Sequence, residues 1–158
     1  MIREGSRAGY ILLADDSEHD RELTRRSLQR SMLANEIIEV EDGAEVLQFL
    51  HRRGKFSSRP KDDPIFLLLD IKMPKVNGIE VLAAIRKDPE LAYIPVIMLT
   101  SSRQEHDLQE CYRLKANAYV VKPVDFDQFS EAIAITGKFW AVVNESPSRA
   151  PWTEAATT

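Results

Sequence analysis

Five short apolar runs alternate with amphipathic segments along this chain, and that alternation limits the fold more than any other feature. The runs are predicted strands over residues 10–14, 36–40, 64–69, 95–99 and 118–121. The third, "PIFLLLD", is apolar without alternation, as expected of a central strand buried on both faces. Strands that alternate with helices form a doubly wound parallel sheet with helices on both faces. The sequence therefore predicts an α/β protein, and its 158 residues have room for one such domain.

Each predicted helix begins with a polar residue that is followed three positions later by an acid or an amide. The pairs are Ser17 with Asp20, Asp42 with Glu45, Asn77 with Glu80, Ser102 with Glu105, and Asp125 with Gln128. A side-chain oxygen at the first position can accept a hydrogen bond from a free backbone N–H group of the first turn. Five helix starts therefore follow five strands.

Charge and hydropathy exclude several classes of partner. The net charge of -4 provides no basic field for nucleic acid or anionic lipid. No stretch approaches the roughly 18 apolar residues of a membrane span, and residues 1–9 lack the apolar core of a secretory signal. We therefore expect a cytoplasmic protein with no nucleic-acid or membrane partner.

Polar side chains follow four of the predicted strands directly. Asp15 and Asp16 end the first strand, Asp70 the third, Thr100 the fourth and Lys122 the fifth. Ligands of such sheets bind beyond the carboxyl ends of the strands. Three crowded carboxylates repel one another, and a hard cation with oxygen ligands relieves that repulsion. The pattern predicts a Mg²⁺ site at Asp15, Asp16 and Asp70; the alternative is that the paired acids merely begin a helix.

The same set of residues suits phosphoryl transfer. A carboxylate can attack phosphorus to form an aspartyl phosphate, and a lysine with a hydroxyl group can stabilise charge on the phosphoryl oxygens. Asp70 is the predicted nucleophile, Lys122 the cationic clamp and Thr100 the hydroxyl donor. Taken singly, each could instead be an ordinary turn, helix-entry or loop residue.

Four motifs resemble the receiver domain of bacterial response regulators over residues 9–136. They are "LLADD", "LLLDIKMPKVNG", "VIMLTSS" and "AYVVKPVD", in that order, with Thr100 thirty residues after Asp70 and Lys122 twenty-two after Thr100. The resemblance implies a flavodoxin-like sheet of strand order 2-1-3-4-5. It also implies that Asp70 takes a phosphoryl group from the phosphohistidine of a sensor kinase. The backbone carbonyl of Lys72 would complete the metal site.

The resemblance further implies a switch. Thr100 would move toward the phosphoryl group and the ring of Tyr119 would follow, although a surface tyrosine that never moves is the alternative. Family members have a cis peptide at the position of Lys122–Pro123, whereas trans is the default for any X–Pro bond.

The C-terminal part is more apolar than a lone receiver requires. Phe126, Phe129 and Ile133 suit a core-facing stripe, and Gly137 is expected to interrupt or end the helix. The remaining apolar residues predict a homodimer surface: Ile135, Phe139, Trp140, Val142 and Val143. Residues 137–158 would form a dimerisation arm with a flexible tail from Ser146 onward, and residues 1–8 an N-terminal extension. The alternative is that the apolar residues fold back onto their own domain.

The ending in "FW", the extended arm and the long loop at residues 51–63 resemble the small regulators that partner bacteriophytochrome histidine kinases. About twenty residues follow the fifth helix, too few for an output domain. We therefore expect a stand-alone receiver that is not an enzyme acting on external substrates, although it catalyses its own phosphorylation and dephosphorylation. Its output would be contact with a downstream protein. A phosphatase of the haloacid-dehalogenase type needs a second acid where this chain has Lys72. The main alternative is a phosphorylation-independent dimeric interaction module on the same fold.

Overall fold

The computed structural model describes residues 9–30, 35–123 and 125–144 and has one five-stranded parallel sheet. The strands are β1 (Ile11–Ala14), β2 (Ile37–Val40), β3 (Phe66–Leu69), β4 (Val96–Thr100) and β5 (Ala118–Val121). Their order across the sheet is β2-β1-β3-β4-β5, so the predicted order is confirmed. β3 is buried along its whole length, whereas β5 at one edge is only half-buried.

Five α-helices cover the two faces of the sheet. They are α1 (Glu18–Arg30), α2 (Gly43–Leu50), α3 (Gly78–Lys87), α4 (Glu105–Arg113) and α5 (Phe126–Lys138). Helices α1 and α5 contact each other on one face. Helices α2, α3 and α4 lie side by side in that order on the other face. The sheet is therefore doubly wound, as the alternation of runs predicted.

The core has two parts because successive side chains of a strand point to opposite faces of the sheet. Ile11 and Leu13 of β1 pack toward α1 and α5, where Leu28, Phe129 and Ile133 join them. Leu12 and Ala14 point the other way, and their buried neighbours are Val46, Val81, Leu82 and Cys111. Each face thus receives alternate residues of the same apolar strands.

Four of the five predicted helix starts have the expected hydrogen bond. Asp42, Asn77 and Asp125 accept from the backbone N–H three residues later, and the Ser17 hydroxyl oxygen accepts from Asp20 N at 3.2 Å. The fourth helix is present, but its cap was predicted wrongly, because Gln104 rather than Ser102 directly precedes α4. Ser102 is buried two residues before Gln104, and its hydroxyl donates to the Asp107 carboxylate at 2.6 Å.

Gly78 links the start of α3 to the end of β3. A Cβ atom at this position would lie 2.0 Å from the backbone oxygen of Asp70, which is far inside van der Waals contact. Gly78 N also donates to Ile71 O at 2.8 Å. Only glycine therefore allows α3 to begin against the backbone that carries Asp70.

The C-terminal helix does not stop at Gly137. Gly137 is buried inside α5, and the chain continues as a π-helical turn over Phe139–Val143, closed by Asn144 N donating to Phe139 O at 2.8 Å. The expected interruption is therefore wrong, because the backbone there retains its hydrogen bonds in a wider turn. Phe126 was also placed wrongly in the core; it is 40% exposed, and the Arg30 guanidinium lies 5.4 Å from its ring centroid.

The basic stretch at residues 51–63 forms a short 3₁₀ turn, Gly54–Phe56, followed by a loop that Arg59 attaches to the domain. The Arg59 guanidinium lies 4.2 Å from the ring centroid of Phe49 and donates to the backbone oxygens of Phe49 and Asp62 at 2.7 and 2.8 Å. Arg59, one of the basic residues of this stretch, therefore has a structural role in holding the loop against α2.

Residues 1–8, the N-terminal extension of the sequence interpretation, lie outside the described residues, as does the predicted flexible tail from Ser146 onward. Within the described parts of the chain, no helix is long and apolar enough to cross a membrane.

Candidate functional site

The predicted site residues meet at the carboxyl edge of the sheet, because backbone hydrogen bonds continue one residue past the strand ends. Asp15 N donates to Val40 O at 3.2 Å, and Asp70 N donates to Ala14 O at 3.0 Å. Lys122 N donates to Thr100 O at 2.8 Å. These bonds fix the backbone of both aspartates and of the lysine relative to the neighbouring strands.

The ammonium group of Lys122 lies among three carboxylates. Its Nζ atom is 2.6 Å from Asp15 Oδ2, 3.0 Å from Asp20 Oδ2 and 3.1 Å from Asp70 Oδ2. The lysine side chain is only 9% exposed. A lysine so buried needs charged partners to offset its lost hydration, and this one has three.

The second oxygens of the two buried aspartates have backbone partners. Ile71 N donates to Asp70 Oδ1 at 2.7 Å, and Ser17 N donates to Asp15 Oδ1 at 3.0 Å. The buried Arg21 guanidinium also donates to the backbone oxygen of Asp15 at 2.7 Å. Each carboxylate is thus held through one oxygen while the other faces Lys122.

Burial and charge act in opposite directions on the two central groups. Burial alone would lower the pKa of Lys122, but the hydrogen bond and charge of Asp15, with the charge of Asp70, raise it above its usual range. Burial raises the pKa of the Asp15 carboxyl, although Lys122 and the Ser17 N–H oppose that rise. Lys122 therefore stays protonated at neutral pH and supplies the positive charge that the crowded acids require.

The three predicted metal ligands come together. One carboxylate oxygen from each of Asp15, Asp16 and Asp70 lies within 4.8 Å of the others. Asp16 is exposed while the other two are buried, so the cluster opens to solvent on one side. Such a set of oxygen donors fits a hard divalent cation. The side chain of Lys72 is exposed, and its backbone carbonyl stays a predicted ligand.

The two predicted switch residues are joined through Ser102. Thr100 is fully buried, and its hydroxyl oxygen accepts from Ser102 N at 3.2 Å. The Tyr119 hydroxyl donates to Ser102 O at 3.0 Å. Ser102 thus contacts both residues, and its hydrogen bond to Asp107 extends the network into α4.

The Lys122–Pro123 bond is trans, since none of the described residues has a cis peptide bond. The cis form that the family resemblance implied is therefore absent here, and Lys122 reaches all three carboxylates with the default isomer.

Sequence reasoning missed Asp20 as part of the site. The spacing from Ser17 marked it only as a residue of a helix start. Its position in the first turn of α1 also brings its carboxylate to Lys122.

The predicted dimerisation residues divide into two groups. Four are exposed: Ile135 by 63%, Phe139 by 47%, Val142 by 68% and Val143 by 65%. Trp140 is half-buried against the core beneath α1 and α5, and its ring meets that of Phe139 edge-on with 5.1 Å between centroids. The alternative of folding back therefore holds for Trp140, while the other four form an exposed apolar stripe.

The chain belongs to the response regulator receiver domain family, whose model matches residues 11–134. It is 34% identical over 140 residues to response regulator Rcp1 of Synechocystis sp., covering 89% of this chain and 94% of that relative. It is thus a receiver-domain response regulator of two-component signalling.

Solved structures confirm the flavodoxin-like receiver fold and the similarity to phytochrome response regulators. The phosphorylated cyanobacterial phytochrome response regulator RcpA has a TM-score of 0.83 at 33% identity, covering 89% of this chain and 99% of its own. The Mn²⁺-bound form of Rcp1 has a TM-score of 0.82 at 34% identity, covering 88% and 99%. The bacteriophytochrome response regulator RtBRR is 51% identical with a TM-score of 0.72, covering 94% and 87%.

Replacing Lys122 with Met tests the charge balance of this site. The variant leaves crowded carboxylates without their cation, so we expect the free energy of unfolding in EDTA to fall by about 3 kcal/mol. Added Mg²⁺ should recover much of that loss, because a divalent cation replaces the missing charge. Urea denaturation with and without Mg²⁺ measures both effects.

The matched control is Lys55→Met, which removes an exposed ammonium from a surface ion pair with Glu45 and should leave stability nearly unchanged. A Lys122→Met protein as stable as wild type in EDTA would contradict this account of the charge balance.

Proposed function

We propose that this response regulator accepts a phosphoryl group on Asp70 from a sensor histidine kinase in a Mg²⁺-dependent reaction. The observation that carries the proposal is the shared ammonium of Lys122, 3.1 Å from Asp70 and 2.6 Å from Asp15 at the open edge of the sheet. A nucleophile, a cation and an acid pair in this arrangement are the parts that phosphoryl transfer requires.

In the proposed reaction, a carboxylate oxygen of Asp70 attacks the phosphorus atom of a phosphohistidine. The P–O bond to Asp70 forms as the P–N bond breaks. The electron pair of the P–N bond stays on the ring nitrogen, and the imidazole leaves in its neutral form because its other nitrogen carries a proton taken from solvent before transfer. Lys122 neutralises negative charge on the phosphoryl oxygens, since its ammonium lies beside the attacking carboxylate of Asp70. Attack of water on the same phosphorus later returns Asp70 and inorganic phosphate.

The metal completes this site in the proposal. Asp15, Asp16, Asp70 and the backbone carbonyl of Lys72 would hold Mg²⁺, which supplies positive charge for the phosphoryl oxygens. The cluster of carboxylate oxygens within 4.8 Å supports this assignment. A Mn²⁺-bound form of the relative Rcp1 is consistent with a divalent cation at such a site.

Thr100 and Tyr119 are the proposed switch. A phosphoryl group on Asp70 gives the Thr100 hydroxyl a new acceptor, which would draw Thr100 away from its bond to Ser102 N. The Tyr119 hydroxyl donates to the backbone oxygen of Ser102, so a shift of Ser102 would change the hydrogen bonds of both Thr100 and Tyr119. The change would reach the surface through α4 and β5, where a downstream protein reads it.

The proposed kinase partner is a bacteriophytochrome. RtBRR, a bacteriophytochrome response regulator, is 51% identical to this chain, and RcpA, which is 33% identical, is a cyanobacterial phytochrome response regulator. Identity at this level supports a shared class of kinase partner.

We further propose a homodimer that pairs through the exposed stripe of Ile135, Phe139, Val142 and Val143, with residues 137–158 as its arm. Trp140 contributes by fixing the π-helical turn against the domain. Four apolar side chains between 47% and 68% exposed on one short segment are unusual for a surface that faces only water.

Transfer of radiolabelled phosphate from an autophosphorylated histidine kinase tests the function. We expect wild-type protein to take the label, and Asp70→Asn to take none, because the amide is not a nucleophile. Asp127→Asn, an exposed aspartate in the first turn of α5, is the matched control and should behave as wild type.

Comparing a bacteriophytochrome kinase with an unrelated histidine kinase separates the two parts of this proposal. Faster transfer from the phytochrome kinase is the expected result, and equal rates would remove the phytochrome assignment. If neither kinase transfers label to the protein, the phosphorylation-independent dimeric interaction module would be favoured instead.

Light scattering after size exclusion tests the dimer. Val142→Glu and Ile135→Glu place a charge in the exposed stripe, so we expect each to have the mass of a monomer where wild type has the mass of a dimer. Tyr93→Glu is the control, since Tyr93 is 66% exposed and lies outside the stripe. Equal masses for the stripe variants and wild type would contradict this interface.

A further inference from the structure

The carboxylate of Asp20 is a third partner of Lys122 that the proposed reaction leaves unused. Asp20 Oδ2 lies 3.0 Å from Lys122 Nζ, nearly as close as Asp70 Oδ2. Asp20 is in the first turn of α1, and its backbone N–H donates to the Ser17 hydroxyl oxygen at 3.2 Å. The helix start therefore fixes the backbone that carries this carboxylate.

The other two partners of Lys122 acquire new roles when the site is loaded. Asp15 belongs to the cluster of oxygens within 4.8 Å that fits a metal, and Asp70 is the proposed nucleophile. Asp20 is not among the acids of that cluster in the described part of the chain. It is thus the one carboxylate that can stay with Lys122 throughout the reaction.

We propose that Asp20 is a positioning residue that keeps the Lys122 ammonium at the phosphorylation pocket while Asp15 turns to the metal and Asp70 to the phosphoryl group; this inference rests on the proposed function. A lysine side chain has many rotamers, and holding its head group at the pocket costs conformational entropy. Because the Asp20 carboxylate already binds the ammonium in the free protein, less conformational entropy is lost when the phosphoryl donor arrives.

A second consequence concerns the metal. If Asp15 and Asp70 were the only carboxylates beside Lys122, binding of a divalent cation would leave the ammonium without an anion of its own. Asp20 supplies an anion that does not compete for the cation, so lysine and metal can occupy the edge of the sheet together. Asp20 acts through Lys122 and does not need to touch the phosphoryl group.

The test compares Asp20→Asn with Glu18→Gln in the full chain. Glu18 is an exposed acid in the same first turn of α1 and is not one of the three carboxylates that contact Lys122. Both variants remove one negative charge from this turn, so a general effect of that charge on the binding of metal or phosphoryl donor should be the same in both. Asp20→Glu keeps a carboxylate and serves as the conservative variant.

Two measurements are made on each protein. The first is the rate of phosphorylation by acetyl phosphate at saturating Mg²⁺, with the Mg²⁺ dissociation constant taken from amide chemical shifts in the absence of donor. The second is hydrogen exchange of the Lys122 ammonium in ¹⁵N-lysine-labelled, metal-free protein, with its NMR signal assigned by its loss in Lys122→Met. The second readout needs neither metal nor phosphate.

For Asp20→Asn we expect a roughly 10-fold slower phosphorylation rate, the lower end of what supporting partners of a site contribute. Mg²⁺ affinity should change no more than in Glu18→Gln, the Lys122 ammonium should exchange faster with solvent, and Asp20→Glu should recover part of the rate.

Identical rates and ammonium exchange in Asp20→Asn and Glu18→Gln would overturn the role of Asp20 while leaving the proposed function intact. A loss of Mg²⁺ affinity in Asp20→Asn beyond that in Glu18→Gln, with an unchanged rate at saturating Mg²⁺, would also overturn it, since Asp20 would then act on the metal. A wild-type protein that takes no phosphoryl group would overturn the proposed function and this inference together.

Discussion

The ammonium of Lys122 is the interaction on which the functional edge of this protein depends. It joins the end of β5 to Asp15 after β1, to Asp70 after β3 and to Asp20 in α1. Without a cation the acids at this edge would repel one another in a poorly hydrated place. In the free protein the Lys122 ammonium offsets the negative charge of these acids. In our proposal a divalent cation also offsets that charge when a phosphoryl group is transferred.

The sheet makes this arrangement possible because its parallel strands all end at one edge. Two hydrogen bonds fix the reacting residues to the sheet: Asp70 N donates to Ala14 O, and Lys122 N donates to Thr100 O. The apolar side chains on both faces of that sheet are buried. Beyond that edge, Ser102 touches Thr100, Tyr119 and Asp107. In our proposal, phosphorylation of Asp70 would act through these hydrogen bonds on α4 and β5 at the surface.

Much of this could be predicted from the sequence, because apolar runs define buried strands and polar residues directly after them must lie at the sheet edge. Strand order, Asp70 and Lys122 followed from such local patterns or from the family resemblance. What failed depends on tertiary contacts. Ser102 fits a helix start by spacing but bonds to Asp107 instead, Phe126 lies just outside the core stripe beside Arg30, and the bond from Asp20 to Lys122 spans 102 positions that no local pattern connects.

The most direct measurement is the intact mass of the protein after incubation with acetyl phosphate, with and without Mg²⁺, for wild type and Asp70→Asn. A small donor isolates the chemistry of this site from the choice of kinase. The account predicts a single phosphoryl increment that requires both Mg²⁺ and Asp70. No increment under short, cold conditions that preserve an acyl phosphate, or an equal increment on Asp70→Asn, would contradict it.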